Sequence, residues 1–104
     1  MTETLNLLST VGYLGSSPRV MNEGKENEHT YFALTSDPYK QDSVRSVIHI
    51  NIIEPELRRM ASQLSMGMKV CVSGYYEEHF AYLFGDLLHT QKLTAFKIEI
   101  VKSK

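Results

Sequence analysis

LNLLSTVGYLGSSPRV, residues 5–20, is the stretch on which the reading of the fold turns. Side chains along an extended strand alternate between two faces, so Leu5, Leu7, Val11 and Tyr13 fall on one of them. Gly12 and Gly15 then interrupt that face. Glycine weakens a strand, and its presence there usually marks a sharp bend or a bulge. A strand that starts regular and then bends can belong to two sheets at once, as a small closed barrel requires. The same residues also fit an ordinary hairpin arm ending in the turn Gly15-Ser16-Ser17-Pro18.

Outward from this stretch, residues 16–28 are rich in Ser, Gly, Asn and Glu and read as a loop. HTYFALTS, residues 29–36, is a second strand with Phe32 and Leu34 on one face, and DPYKQD, residues 37–42, is a second polar loop. Residues 44–53 form the clearest strand. Val44, Ile48, Ile50 and Ile52 share its apolar face, and Arg45, Val47, His49 and Asn51 share the other. The period then changes from two to three or four. Leu57, Met60, Ala61 and Leu64 mark one face of a helix, with Pro55 suited to its first turn and Gly67 to its stop. KVCVSGYY, residues 69–76, is a fourth strand with Val70 and Val72 inward. Gly85-Asp86 reads as a tight turn between arms at 75–84 and 87–101. The second arm carries the fifth strand, with Ala95 and Ile98 as core positions.

Three strands, one short helix and two more strands predict an all-β protein. The expected form is a five-stranded Greek-key barrel of the oligonucleotide-binding type (OB-fold), its helix between the third and fourth strands and its last two strands an extended hairpin. An α+β sandwich with an antiparallel sheet fits the same string. With 104 residues the chain is expected to be one domain, residues 1–104.

Composition narrows the function. A net charge of −1 gives no basic field for strong electrostatic capture. One cysteine, Cys71, leaves no disulfide framework and no cysteine-based zinc site within a chain; it reads as a small packed residue in a reducing compartment. No apolar run approaches the ~18 residues of a membrane span. The opening MTETLNLL lacks the basic, Ser-rich character of a transit peptide, so the expectation is a chain that has none or begins after it. His29, His49, His79 and His89 show no metal-ligand spacing, and no nucleophile signature or phosphate-cradling Gly-rich loop is present. The expectation is a binding protein with no cofactor and no metal, not an enzyme.

Five segments together resemble the bacterial and mitochondrial single-stranded DNA-binding proteins. VGYLGSSPRV (11–20) resembles the opening strand of that family, and FALTSDPY (32–39) its second strand running into an acidic turn and an aromatic. IIEPELRRMA (52–61) is similar to the mitochondrial branch, where a Pro-x-Leu-Arg opens the helix. SMGMKVCVSG (65–74) and LTAFKIEI (93–100) resemble its fourth and closing strands. The resemblance spans residues 5–101. There are departures: the chain has no tryptophan, with Val47 and Tyr39 near the places where the family carries one, and Ile53 stands for its phenylalanine. The acidic-tipped tail of the bacterial branch is not seen.

Holding a single strand without reading its sequence takes aromatic faces for bases and a cationic groove for the backbone. The aromatic candidates are Tyr39 and the hairpin set Phe80, Tyr82 and Phe84, with Tyr75 and Tyr76 at its base. Phe80, Tyr82 and Phe84 alternate onto one face, either for bases or for packing against the barrel or a partner subunit. Tyr13 and Tyr31 read as core or rim. The cationic candidates are Lys40, Arg45, Lys92, Lys97 and Arg19, while Arg58 and Arg59 read as a solvated helix face. The resemblance places nucleic acid on the face of the third strand that carries Arg45, Val47 and His49. The expected nucleic-acid-binding set is therefore Tyr39, Lys40, Arg45, Val47, His49, Phe80, Tyr82 and Lys92. The function implied is sequence-independent binding of single-stranded DNA by a homotetramer in the mitochondrial matrix, keeping the strand unpaired and protected during replication. The alternatives are an OB-fold adaptor acting through protein contacts and an RNA-binding protein of the same fold.

Overall fold

In the computed structural model the described residues are 6–36 and 47–102. Their order is β1 (Leu7–Leu14), β2 (Arg19–Met21), β3 (His29–Thr35), β4 (Val47–Ile52), α1 (Pro55–Ala61), β5 (Lys69–Leu83) and β6 (Asp86–Ile100). The sheet runs β1-β5-β6-β4-β3-β2 and closes into a ring because β1 also pairs with β3. Tyr13 makes the closure: it stands opposite Lys69 of β5 and also opposite Thr35 of β3. The bend read from Gly12 is thus the point where one strand passes between two neighbours. One edge of β3 is held by β4, and the other is shared between β2 and the end of β1. The strand order, the helix between β4 and β5 and the long β5–β6 hairpin agree with the expected OB-fold.

Several details differ from the sequence reading. The loop after β1 contains a sixth strand, β2, three exposed residues long and paired with residues 29–31 of β3. Leu7 and Val11 do not face the core; they are 66% and 52% exposed, and the inward row is Leu8, Thr10, Gly12 and Leu14. Gly12, which fills no volume, occupies the crowded inward side of the strand. Cys71 lies opposite Val11 and is half-buried, not packed in the core. The helix stops at Ala61, six residues before Gly67: Ser62 caps it and its hydroxyl donates to the Arg59 carbonyl at 2.6 Å. Gly67 instead supplies a positive φ of 92° in the turn into β5. Glu54 caps the other end, its carboxylate accepting from the N–H groups of Glu56 and Leu57.

The core is formed by Leu14, Phe32, Leu34, Ile50, Ile52, Val70, Val72 and Leu93, with Ala95 and Ile98 beside them. Ala61 and Leu64 pack against this cluster from the helical segment. Each fully buried aliphatic or aromatic side chain contributes about 1.5–3 kcal/mol relative to exposure. Ser73 pairs with Lys97 and Gly74 with Ala95, so β6 carries one extra residue, Phe96, as a bulge. A Cβ on Gly74 would lie 2.2 Å from the Thr94 carbonyl oxygen, so the bulge requires glycine there. The hairpin turn is Phe84-Gly85, not Gly85-Asp86. Leu83 pairs with Asp86, and both turn residues have positive φ, as a two-residue type I′ turn requires.

Candidate functional site

The outer faces of β3, β4 and β6 make one continuous surface. Residues directly opposite each other on paired strands share a face. Arg19, Tyr31, Asn51, Thr94 and Tyr75 therefore form one row across the sheet, and Ala33, His49, Lys92 and Glu77 form the next. Val47 lies in the following row, opposite Thr35. The apolar alternates of these strands, Phe32, Ile50 and Leu93, are fully buried, which fixes the polar set outward.

Within this surface Tyr31 and His49 form a pair. Ala33 stands directly opposite His49, and its small side chain leaves room for the Tyr31 ring to reach diagonally across. The Tyr31 hydroxyl is 2.7 Å from His49 Nδ1, and the two rings stack at 5.7 Å with planes 24° apart. Beside them runs an open groove of about 350 Å³ lined by Glu28, His29, Asn51, Ile53, Lys92 and Thr94 together with Glu26 and Asn27. Glu28 is not free to repel an anion there. Its carboxylate accepts from the Gly24 N–H at 2.8 Å and meets Arg58 at 3.0 Å, and these two contacts hold its pKa below the ordinary value. Arg58 also donates from Nε to the Thr30 hydroxyl, so it ties the 22–28 loop to the helix and does not simply face solvent.

The hairpin presents a second, separate surface. Phe80 and Tyr82 share the face of Tyr76, which packs toward the core, whereas Lys92 lies with Glu77 on the opposite face. Phe80 is stacked on His89, its cross-strand partner, at 4.4 Å with planes 2° apart. Tyr82 is 79% exposed and Phe84 is 97% exposed. The Tyr76 hydroxyl lies 2.6 Å from a Glu78 oxygen and 2.9 Å from the Gln91 side chain. Both partners are acceptor oxygens, so the single phenol proton is shared between them, with the shorter contact to the carboxylate. Burial and then the Glu78 carboxylate push the Tyr76 pKa up to about 12. His79 and His89 reach Glu77 and Glu78 at 3.1 and 3.6 Å.

Of the residues expected to bind nucleic acid, Val47, His49 and Lys92 are brought onto one face, and Phe80 and Tyr82 are placed on another. Tyr39, Lys40 and Arg45 lie outside the described residues. Lys97 is tied to Glu99 at 2.9 Å, which raises its pKa. Tyr31 was not in the expected set. Only the β3–β4 register, which places Ala33 opposite His49, reveals its partner. Among the described residues no cluster of three or more His, Cys, Asp or Glu side chains is arranged to hold a metal ion, and no helix is long and apolar enough to cross a membrane.

No protein-family model matches the sequence, and no curated protein matches it. Solved structures do resemble it in fold. The small single-stranded DNA-binding protein of Streptomyces coelicolor superposes with a TM-score of 0.73 at 17% identity, covering 95% of this chain and 96% of that one. The mitochondrial single-stranded DNA-binding protein of S. cerevisiae gives 0.71 at 18% identity, covering 98% and 100%. The single-stranded DNA-binding protein of Thermus aquaticus gives 0.68 at 16% identity, covering 96% of this chain and 42% of that one. At these identities the likeness is one of fold.

Proposed function

We propose that this protein binds single-stranded DNA without sequence preference, through the outer face of β3, β4 and β6. The observation that carries the reading is two adjacent rows of half-buried side chains on that face: Tyr31 offers a ring, His49 and Asn51 offer hydrogen-bond donors, and Lys92 offers a cation. Unpaired bases stack on such rings while the backbone follows the charge. The three structural neighbours, each described as a single-stranded DNA-binding protein, support the same reading. Tyr39, Lys40 and Arg45 belong to the proposed binding set on the strength of the sequence resemblance alone.

The protein acts as a homotetramer that keeps the exposed strand unpaired during DNA replication. Exposed Tyr82, Leu83, Phe84, Leu87 and Leu88 adjoin one another around the hairpin end and support association, because a contiguous exposed apolar patch favours partner contact. A mitochondrial setting is supported by the Pro55-Glu56-Leu57-Arg58 helix start, which resembles the mitochondrial branch. A second reading, an OB-fold adaptor, is favoured by one feature: the exposed apolar hairpin, whose Phe80, Tyr82 and Leu87 lie on the side opposite Lys92.

Fluorescence titration with labelled oligo-dT and with a duplex of equal length, at two salt concentrations, decides between them. The single-strand reading expects binding to oligo-dT that weakens with salt and exceeds binding to duplex. Equal affinities, or no signal at all, would favour the adaptor.

A further inference from the structure

We propose that His49 and Lys92 form a subsite for one phosphodiester of the bound strand, with Tyr31 as its positioning residue; this rests on the single-strand-binding reading above. The phenol O–H is a stronger acid than a neutral imidazole N–H, and an imidazole nitrogen is a stronger base than a phenol oxygen. Across the 2.7 Å contact Tyr31 therefore donates to Nδ1. The one proton of the neutral ring is then held on Nε2, the edge turned away from Tyr31. The stacked arrangement at 5.7 Å restrains the ring plane as well. Among the described residues Nε2 meets no hydrogen-bond partner, which in this proposal leaves its N–H for the bound strand.

Lys92 stands beside His49 in the β4–β6 register. Neighbouring strands are about 4.8 Å apart, so an N–H donor and an ammonium at this spacing suit the two non-bridging oxygens of one phosphate. No carboxylate among the described residues comes within 4 Å of the Lys92 ammonium, although Glu77 is its cross-strand neighbour. Among the described residues the charge is therefore not spent on an internal pair. Lysine contributes a point charge and His49 contributes direction, which a flexible ammonium lacks.

The test uses wild type, Tyr31→Phe, His49→Ala and the double variant, each titrated with oligo-dT and with the same length carrying uncharged methylphosphonate linkages. His49→Ala is expected to weaken oligo-dT binding about tenfold, the worth of one hydrogen bond to a charged group. Tyr31→Phe keeps the ring but loses the hydroxyl, and about a threefold loss is expected, with no further loss on the His49→Ala background. On the methylphosphonate strand the His49→Ala penalty should disappear. In ¹⁵N spectra the His49 imidazole should be the Nε2–H tautomer in wild type and a mixture in Tyr31→Phe, whether or not DNA is present. If wild type binds but the two single losses simply add, or if the His49→Ala penalty persists on methylphosphonate, the subsite is wrong while the binding reading stands. If wild type does not bind oligo-dT at all, both fall.

Discussion

A Cβ placed on Gly12 would sit 2.8 Å from the backbone carbonyl oxygen of Thr35. The closing contact between β1 and β3 is therefore backbone against backbone, with no space for a side chain. Gly12→Ala should destabilise the protein by about 1–3 kcal/mol through overpacking. Gly74→Ala should cost more than Gly12→Ala, because its Cβ would meet the Thr94 carbonyl at 2.2 Å and push β5 from β6 at the bulge. Thermal melts of the two variants against wild type check both the sign and the order.

Glu28 links the 22–28 loop to the helix through Arg58 and Gly24. Its pKa is depressed below 4.5 in the folded protein, so it binds fewer protons there than in the unfolded chain. The stabilisation it provides is complete above the ordinary value of 4.5 and is lost as pH falls through the lower folded value. Glu28→Gln should abolish this part of the acid dependence and make the wild-type and variant melting curves converge at low pH. Melting temperatures between pH 6 and pH 3 measure it.

Tyr76 should ionise well above the ordinary tyrosine value. Its ordinary value of 10.0 is pushed to about 12 by burial and by Glu78. Because the folded value is raised, stability should fall as pH climbs above 10 and keep falling until about 12. Glu78→Gln removes the neighbouring charge and should bring this titration down. Phenolate absorbance in the ultraviolet follows both variants directly.

Phe84 holds a φ of 53° at the hairpin tip, in the left-handed region where a phenylalanine costs about 1–2 kcal/mol and asparagine costs less. It is almost fully exposed, so little packing is lost when it is replaced. Phe84→Asn should raise stability by about 1 kcal/mol, because the turn dipeptide becomes Asn-Gly. Denaturant unfolding measures the change.

Lys92 and Lys97 are both cations of β6, but only Lys97 has a carboxylate in contact among the described residues. Under the proposed function Lys92→Ala should flatten the slope of log affinity against log salt by about 0.7 per occupied subunit, and Lys97→Ala should leave it nearly unchanged. Titrations at three salt concentrations separate the two.

The sequence by itself determined five of the six described strands, the place of the helix and most of the core. Alternation in residues 47–52 must bury Ile50 and Ile52 or leave them in water, and the change of period after Pro55 admits only a helix. These signals are local, carried by neighbours along the chain. Tertiary structure alone decided the rest. Leu7 and Val11 are apolar yet lie outside, because closure at Gly12 and Thr35 dictates which face of β1 turns inward, and that is a contact between distant segments. The grouping of the candidate residues was equally hidden. Phe80 and Lys92 seemed available to one groove, but the pairing of Phe80 with His89 and of Lys92 with Glu77 sends them to opposite sides. The Tyr31–His49 contact needs Ala33 across from His49, and a register between strands is set by packing of the whole sheet, not by either strand's own pattern.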